Sequence, residues 1–230
     1  MRKIKTIVIF QLIFATTIVS SGEQNWHSFK NNILTYITKM DGWCPIEKAD
    51  RMMELTAATS PDIFVEIGVF GGMSFLPVAA TMKYKKRGIA FGIDPWEVSP
   101  CLLGNEEVHK KWWSKVNFPQ IYSKFITHMH ENNLVNYFKI LKMTSEKALS
   151  LFEDNSIDII HIDGNHSEES ALFDATNWLP KVKVGGYIWF DDVNWQTTER
   201  AVSYLYQYCT LDPSSKPNDH YVLFKKTNTN

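Results

Sequence analysis

The sequence predicts an α/β fold, a doubly wound and mostly parallel sheet with helices on both faces. Three observations predict it. Short apolar strands alternate with helix-period segments after residue 22. The strands are near-continuous Ile, Val and Phe runs, as expected of strands covered on both sides. Four of them carry an acid at or beside the carboxyl end, the edge where an open parallel sheet presents its ligands.

The 230 residues hold 24 Lys+Arg against 25 Asp+Glu, with 44% hydrophobic and 21% charged residues. That apolar content offsets chain entropy and excludes disorder. With a net charge of −1 there is no basic excess to neutralise phosphates, so nucleic acid is not an expected partner. Cys44, Cys101 and Cys209 are far apart, without a CxxC pair, which speaks against structural zinc and against a disulfide framework.

Residues 1–21 are read apart from the fold. Arg2, Lys3 and Lys5 precede a mostly apolar run at 7–19, and Ser20, Ser21 and Gly22 are small. This is signal-peptide anatomy, too short for a comfortable bilayer span. The expectation is an exported or membrane-associated protein, with a cytoplasmic one as the alternative if the segment is an uncleaved hydrophobic helix. One domain, 22–230, follows. It shows no internal repeat and no linker, and a homo-oligomer stays open.

Residues 26–40 and 45–58 read as helices, the second with Pro45 near its first turn. A strand at 62–67 runs into a Gly-rich turn, followed by a helix at 73–84. The second strand, 88–93, ends at Asp94. Residues 95–118 read as irregular and rich in Trp, before a helix at 119–133, a strand at 137–141 and a short helix at 145–152. The fourth strand, 157–162, ends at Asp163. Ala171, Leu172, Ala175, Trp178, Leu179 and Val182 share one face of a helix that Gly185-Gly186 is expected to stop. A strand at 187–190 ends at Asp191-Asp192, and a helix at 198–208 and a strand at 220–225 close the chain.

The turn after the first strand reads Glu66-Ile-Gly68-Val-Phe-Gly71-Gly72-Met-Ser74. It lacks the dinucleotide fingerprint, because Phe70 stands at the second Gly position, and it lacks a P-loop. Glu66 would repel a pyrophosphate but can accept from an ammonium. This E-x-G-x-x-x-G, with Asp94 following 26 residues after Gly68, resembles the cofactor site of class I S-adenosylmethionine-dependent methyltransferases. The resemblance continues through Asp163-Gly-Asn-His166 and Gly185-Gly-Tyr-Ile-Trp-Phe-Asp-Asp192, and so covers most of residues 60–195. Within that class the chain is most similar to small-molecule O-methyltransferases related to catechol O-methyltransferase and to the cephalosporin-biosynthesis type.

The resemblance implies a Rossmann-like sheet, S-adenosylmethionine as cofactor, and a small-molecule acceptor. It implies that Glu66, Gly68 and Gly72 adjoin the methionine end, that Ser74 donates to its carboxylate, that Asp94 accepts the ribose hydroxyls, and that Ser145 contacts the adenine. Ser74 and Ser145 read equally well as helix caps. Asp163, Asp191 and Asp192 suggest a hard-metal site for Mg²⁺, since converging carboxylates repel without a cation and oxygen ligands favour such an ion. His166 falls where related enzymes carry a catalytic base. A helix-start histidine bonded to backbone is its plainer reading, and His161, inside a strand, reads as a core histidine. The sequon at Asn165 is expected to be accidental, because a glycan there would obstruct the site. The Trp-rich 95–118 stretch is a candidate substrate lid or simply a packed loop. Two alternatives stay open: an NAD(P)-dependent oxidoreductase on a similar sheet, and a non-catalytic nucleoside-binding protein.

Overall fold

The computed structural model describes residues 21–104, 106–215 and 220–228. The expected leader lies outside them except for Ser21. Two helices, α1 (Ser21–Ile37) and α2 (Ile46–Thr59), precede the sheet. Then follow β1 (Ile63–Ile67), α3 (Phe75–Lys85) and β2 (Ile89–Ile93). The helices α4 (Val98–Leu102), α5 (Glu107–Trp113) and α6 (Phe118–Glu131) lead to β3 (Phe138–Leu141) and α7 (Ser145–Ala148). The remainder is β4 (Ile157–Ile162), α8 (Glu168–Trp178), β5 (Val182–Asp191), α9 (Glu199–Leu205), β6 (Cys209–Leu211) and β7 (Tyr221–Lys226).

The sheet order is β3-β2-β1-β4-β5-β7-β6. The strands β1 to β5 pair in parallel, while β7 runs antiparallel to β5 and to β6. The chain builds outward from β1 to β3, then returns to place β4 on the other side of β1. The order therefore reverses between β1 and β4, and ligands of such sheets bind outside the carboxyl ends at that reversal.

Register explains which side chains meet. Glu66 pairs with His161 across β1 and β4, and His161 pairs with Trp189 across β4 and β5. Side chains alternate along a strand, so Phe64, Ile159 and Trp189 join the core formed with α1, α2, α3 and α6. Val65, Ile67, Ile160, Ile162, Ile188 and Phe190 join the opposite core with α8 and α9.

Three segments differ from expectation. The stretch 95–118 carries two short helices, α4 and α5, which are too short to display a period. Trp96 is buried in the core, while Trp112 is exposed. The helix over 171–182 ends at Trp178, because Pro180 cannot continue it, and passes through a 3₁₀ turn at Leu179–Lys181. Gly185-Gly186 therefore lies inside β5 and stops nothing. Lys226, itself buried, donates to the carbonyls of Leu179 and Val182 at that helix end. The edge strand β6 had no expectation at all.

Candidate active site

The carboxyl ends of β2, β4 and β5 set Asp94, Asp163, Asp191 and Asp192 along one edge, flanking the reversal between β1 and β4. Glu66 lies one step inside it, fully buried, and accepts from Ser74 Oγ at 2.7 Å. Ser74 stands at the N-cap position of α3 but makes no capping bond, and its hydroxyl donates to Glu66. The glycines of the turn are used for packing. A Cβ on Gly68 would stand 1.9 Å from the Asp163 carbonyl oxygen, and one on Gly72 would stand 2.3 Å from the Phe125 ring. Both have positive φ, which glycine alone adopts without strain.

Asp94 is clamped by backbone. Its Oδ2 accepts from Phe70 N at 2.9 Å and its Oδ1 from Trp96 N at 2.7 Å. Burial outweighs those two bonds and pushes its pKa up to about 6. Ser145 is the first residue of α7, behind Thr144 at the cap position, and its hydroxyl meets Asp174. Asp174, on α8, is buried, and its pKa is raised to about 7 by that burial.

The three acids expected to hold a metal divide into two groups that share Asp163. One is His161, Asp163 and Asp191; the other is Asp163, His166 and Asp192. Asp191 is the last residue of β5, and Asp192 follows it with a left-handed backbone, φ 51°, that turns its side chain away from Asp191.

On the α2 face, Lys48 enters the site from the helix expected at 45–58, although the sequence reading gave the residue no role. Its side chain is fully buried. The ammonium donates to Asp191 Oδ2, lies 2.9 Å from His161 Nε2 and 4.0 Å from Asp163 Oδ2. Burial opposes its charge, but Asp191 and Asp163 outweigh burial and hold the lysine above its ordinary pKa. Asp191 is correspondingly held below the carboxylate range by Lys48 and His161, against its burial. His161 is enclosed between Glu66, Lys48 and Asp191; burial and the Lys48 charge oppose its protonation, but Glu66 and Asp191 prevail and raise its pKa to about 9. Its Nδ1 lies 3.2 Å from Glu66 Oε2 and its Nε2 3.4 Å from Asp191 Oδ1. A buried polar chain thus runs Ser74–Glu66–His161–Lys48–Asp191. A signal for Lys48 existed in the sequence: it shares the i, i+4, i+8 stripe of α2 with Met52 and Thr56, all buried.

On the α8 face, His166 Nε2 lies 2.7 Å from Asp192 Oδ2 and 3.5 Å from Asp163 Oδ1. Burial works against its protonation, but the two carboxylates prevail and raise its pKa to about 10. His166 is therefore an imidazolium at neutral pH rather than a backbone-bonded cap residue; Ser167 caps α8 instead. Trp195 packs against His166 with ring centroids 5.3 Å apart, and His109 of α5 stacks on Trp195 at the same distance. Asn165 Nδ2 donates to the carbonyls of Pro100 and Leu103. A glycan on that nitrogen would break the tie to the 98–104 segment. The space behind His166, bounded by Ile162, Gly164, Asn165 and Asp174, measures about 10 Å³. No helix among the described residues is long and apolar enough to cross a membrane.

Comparison with known proteins places this geometry. A family profile described as a methyltransferase domain matches residues 65–193. An uncharacterised protein of Acanthamoeba polyphaga mimivirus is 33% identical over 132 residues, 56% of this chain and 50% of that protein. The chain spans half or less of the length of the curated relatives it matches. The SAH-bound crystal structure of the Podospora anserina methyltransferase PaMTH1 superposes with a TM-score of 0.62 at 12% identity, over 98% of this chain and 100% of that one. The O-methyltransferase TomG of Streptomyces achromogenes, in complex with SAM, gives a TM-score of 0.58 at 13% identity over 94% of each chain. At these identities the two structures show a shared fold.

Proposed function

This chain belongs to the methyltransferase-domain family, and on that premise we propose that it transfers the methyl group of S-adenosylmethionine to an oxygen of a small-molecule acceptor. One observation carries the reading: acids from β2, β4 and β5 gather with a histidine along the edge that flanks the reversal of strand order. The SAH and SAM held by the structural neighbours support the cofactor. An oxidoreductase reading is less favoured, because the Phe70 N–H, which a dinucleotide turn would offer to a pyrophosphate, is given to Asp94.

When bound, S-adenosylmethionine supplies an electrophilic sulfonium methyl, which an acceptor oxygen takes as it loses its proton. Asp94 keeps free lone pairs on both oxygens beyond its two backbone bonds, and these suit the ribose hydroxyls. Glu66 and Ser74, bonded to each other, hold the turn in shape from beneath. Ser145 and Asp174 form the polar floor beside α7. His166 Nε2 is the atom to which the acceptor proton goes. In its present ion pairs that nitrogen is already protonated, so it works as a base only once Asp163 or Asp192 is neutralised and its pKa falls toward the ordinary value.

The donor set fits a divalent cation. Asp191 Oδ1 is buried and makes no hydrogen bond among the described residues, with His161 Nε2 3.4 Å away. Asp163 and Asp192 add part-exposed carboxylates. Oxygen donors suit Mg²⁺ better than imidazole does, so Asp163 with Asp191 or Asp192 would hold the ion and leave His166 free. Such an ion lowers the pKa of a bound acceptor oxygen. Export or membrane association through residues 1–21 belongs to the same proposal, and N-terminal sequencing of the mature protein tests it.

The test is methyl transfer from labelled S-adenosylmethionine to a panel of hydroxylated small molecules, with wild type and His166→Ala side by side. Turnover in wild type, lost in His166→Ala with S-adenosylhomocysteine affinity retained, supports the proposal. Unchanged turnover in the variant removes His166 from the chemistry.

A further inference from the structure

Lys48 plays no part in the chemistry proposed above, yet it is among the most completely enclosed charges of the molecule. Its side chain has no exposure, and the acid edge, His161 and the Cys44 thiol surround the ammonium. Asp191 Oδ2 accepts from it directly, His161 Nε2 lies at 2.9 Å, Asp163 Oδ2 at 4.0 Å, and the Tyr221 ring face is 5.4 Å away. A lysine carried to such a place by a buried stripe of α2 costs desolvation that a simple hydrophobe would avoid. Packing alone therefore does not account for it. What the ammonium does is fix one oxygen of Asp191, leave the other, Oδ1, facing His161 Nε2 at 3.4 Å without a hydrogen bond among the described residues, and set a positive charge beside Asp163.

We infer that Lys48 is a positioning residue, a built-in cation that orients Asp191 and weakens the hold of the acid edge on a divalent ion. The inference rests on the placement of such an ion at Asp163, Asp191 and Asp192. A fixed ammonium this near repels any ion that settles against Asp163, and it neutralises one of the three carboxylates. An edge of three unbalanced acids would bind an ion tightly. With Lys48 in place the ion stays exchangeable, and the edge keeps its shape when the ion leaves.

The experiment is a Mn²⁺ titration followed by electron paramagnetic resonance on the full chain, comparing wild type with Lys48→Met. Circular dichroism and S-adenosylhomocysteine-induced thermal shift verify the fold and the cofactor site. The expected result is a gain in Mn²⁺ affinity of at least about tenfold in the variant. Equal or weaker affinity in a folded variant overturns the inference. Loss of the thermal shift in both proteins would instead strike the methyl-transfer reading. Lys48→Met leaves Asp191 buried without its partner, so a second measurement uses wild type alone. A buried, bonded ammonium gives a slowly exchanging ¹H–¹⁵N lysine resonance, and adding Mg²⁺ should shift it. If no such resonance exists, or if it stays unmoved up to saturating Mg²⁺, the inference fails.

Discussion

The two faces of the sheet treat neighbouring acids in opposite ways. On the α2 face Asp191 meets Lys48 and His161, both fully buried, inside a chain that continues to Glu66 and Ser74. On the α8 face Asp192 meets His166, whose side chain keeps 20% of its exposure, with 31% for Asp192. Asp191 and Asp192 are adjacent and identical in type; one ends β5 and the other leaves it through a left-handed turn of the backbone. The enclosed face holds its charges in fixed pairs and gives the edge its shape. The open face holds a histidine and a carboxylate that solvent, acceptor or ion can reach. Chemistry belongs on the second face, and the first keeps it in register.

Breaking the open face should have the largest effect. His166→Ala should lower kcat by about 10²–10⁴-fold, the usual contribution of a positioned acid–base group, with little change in S-adenosylhomocysteine affinity. Steady-state kinetics beside calorimetry checks it.

Next in size is Asp94, which belongs to neither face but to the cofactor edge. Asp94→Asn should weaken S-adenosylhomocysteine by about 10–100-fold through loss of charge-assisted bonds. In wild type the same affinity should fall as pH drops below about 6, where Asp94 protonates. Calorimetry at pH 5 and pH 8 reads both effects.

Titration sharpens the contrast further. The His166 ring signals should move with a midpoint near 10 rather than the ordinary 6.5, and Asp192→Asn should bring that midpoint down. Because the folded value is raised, the His166 ion pairs add stability that is fully present below pH 6.5 and is lost as pH rises through 10. NMR titration and thermal melts across that window measure it. Smallest is the tie between the open face and the 98–104 segment. Asn165→Ala removes two donors and should raise the acceptor KM by roughly 3–10-fold, a loss of one or two ordinary hydrogen bonds, with kcat little changed.

Much of this arrangement was legible in the sequence. The ends of β2, β4 and β5 were readable from apolar runs closed by Asp94, Asp163 and Asp191, and parallel pairing alone brings those ends to one edge. Gly68 and Gly72 were readable as special, and a side chain at either would run into Asp163 or Phe125. Lys48 was not found, because it lies 113 residues from His161, and only tertiary packing of α2 joins them. The division of Asp191 from Asp192 needed the end of β5 and the left-handed backbone of Asp192, which no local pattern announces. The error over 182–186 had a local cause: Val182 fits helical spacing, and the Gly pair imitates a stop, while Pro180 had already ended the helix.

The central claim is that the edge flanking β1 and β4 grips a sulfonium nucleoside. Calorimetric titration of the full chain with S-adenosylhomocysteine, and separately with NAD, tests it most directly. Saturable one-site binding of S-adenosylhomocysteine with no heat from NAD is the predicted result. Binding of NAD in its place, or of neither, would contradict the account.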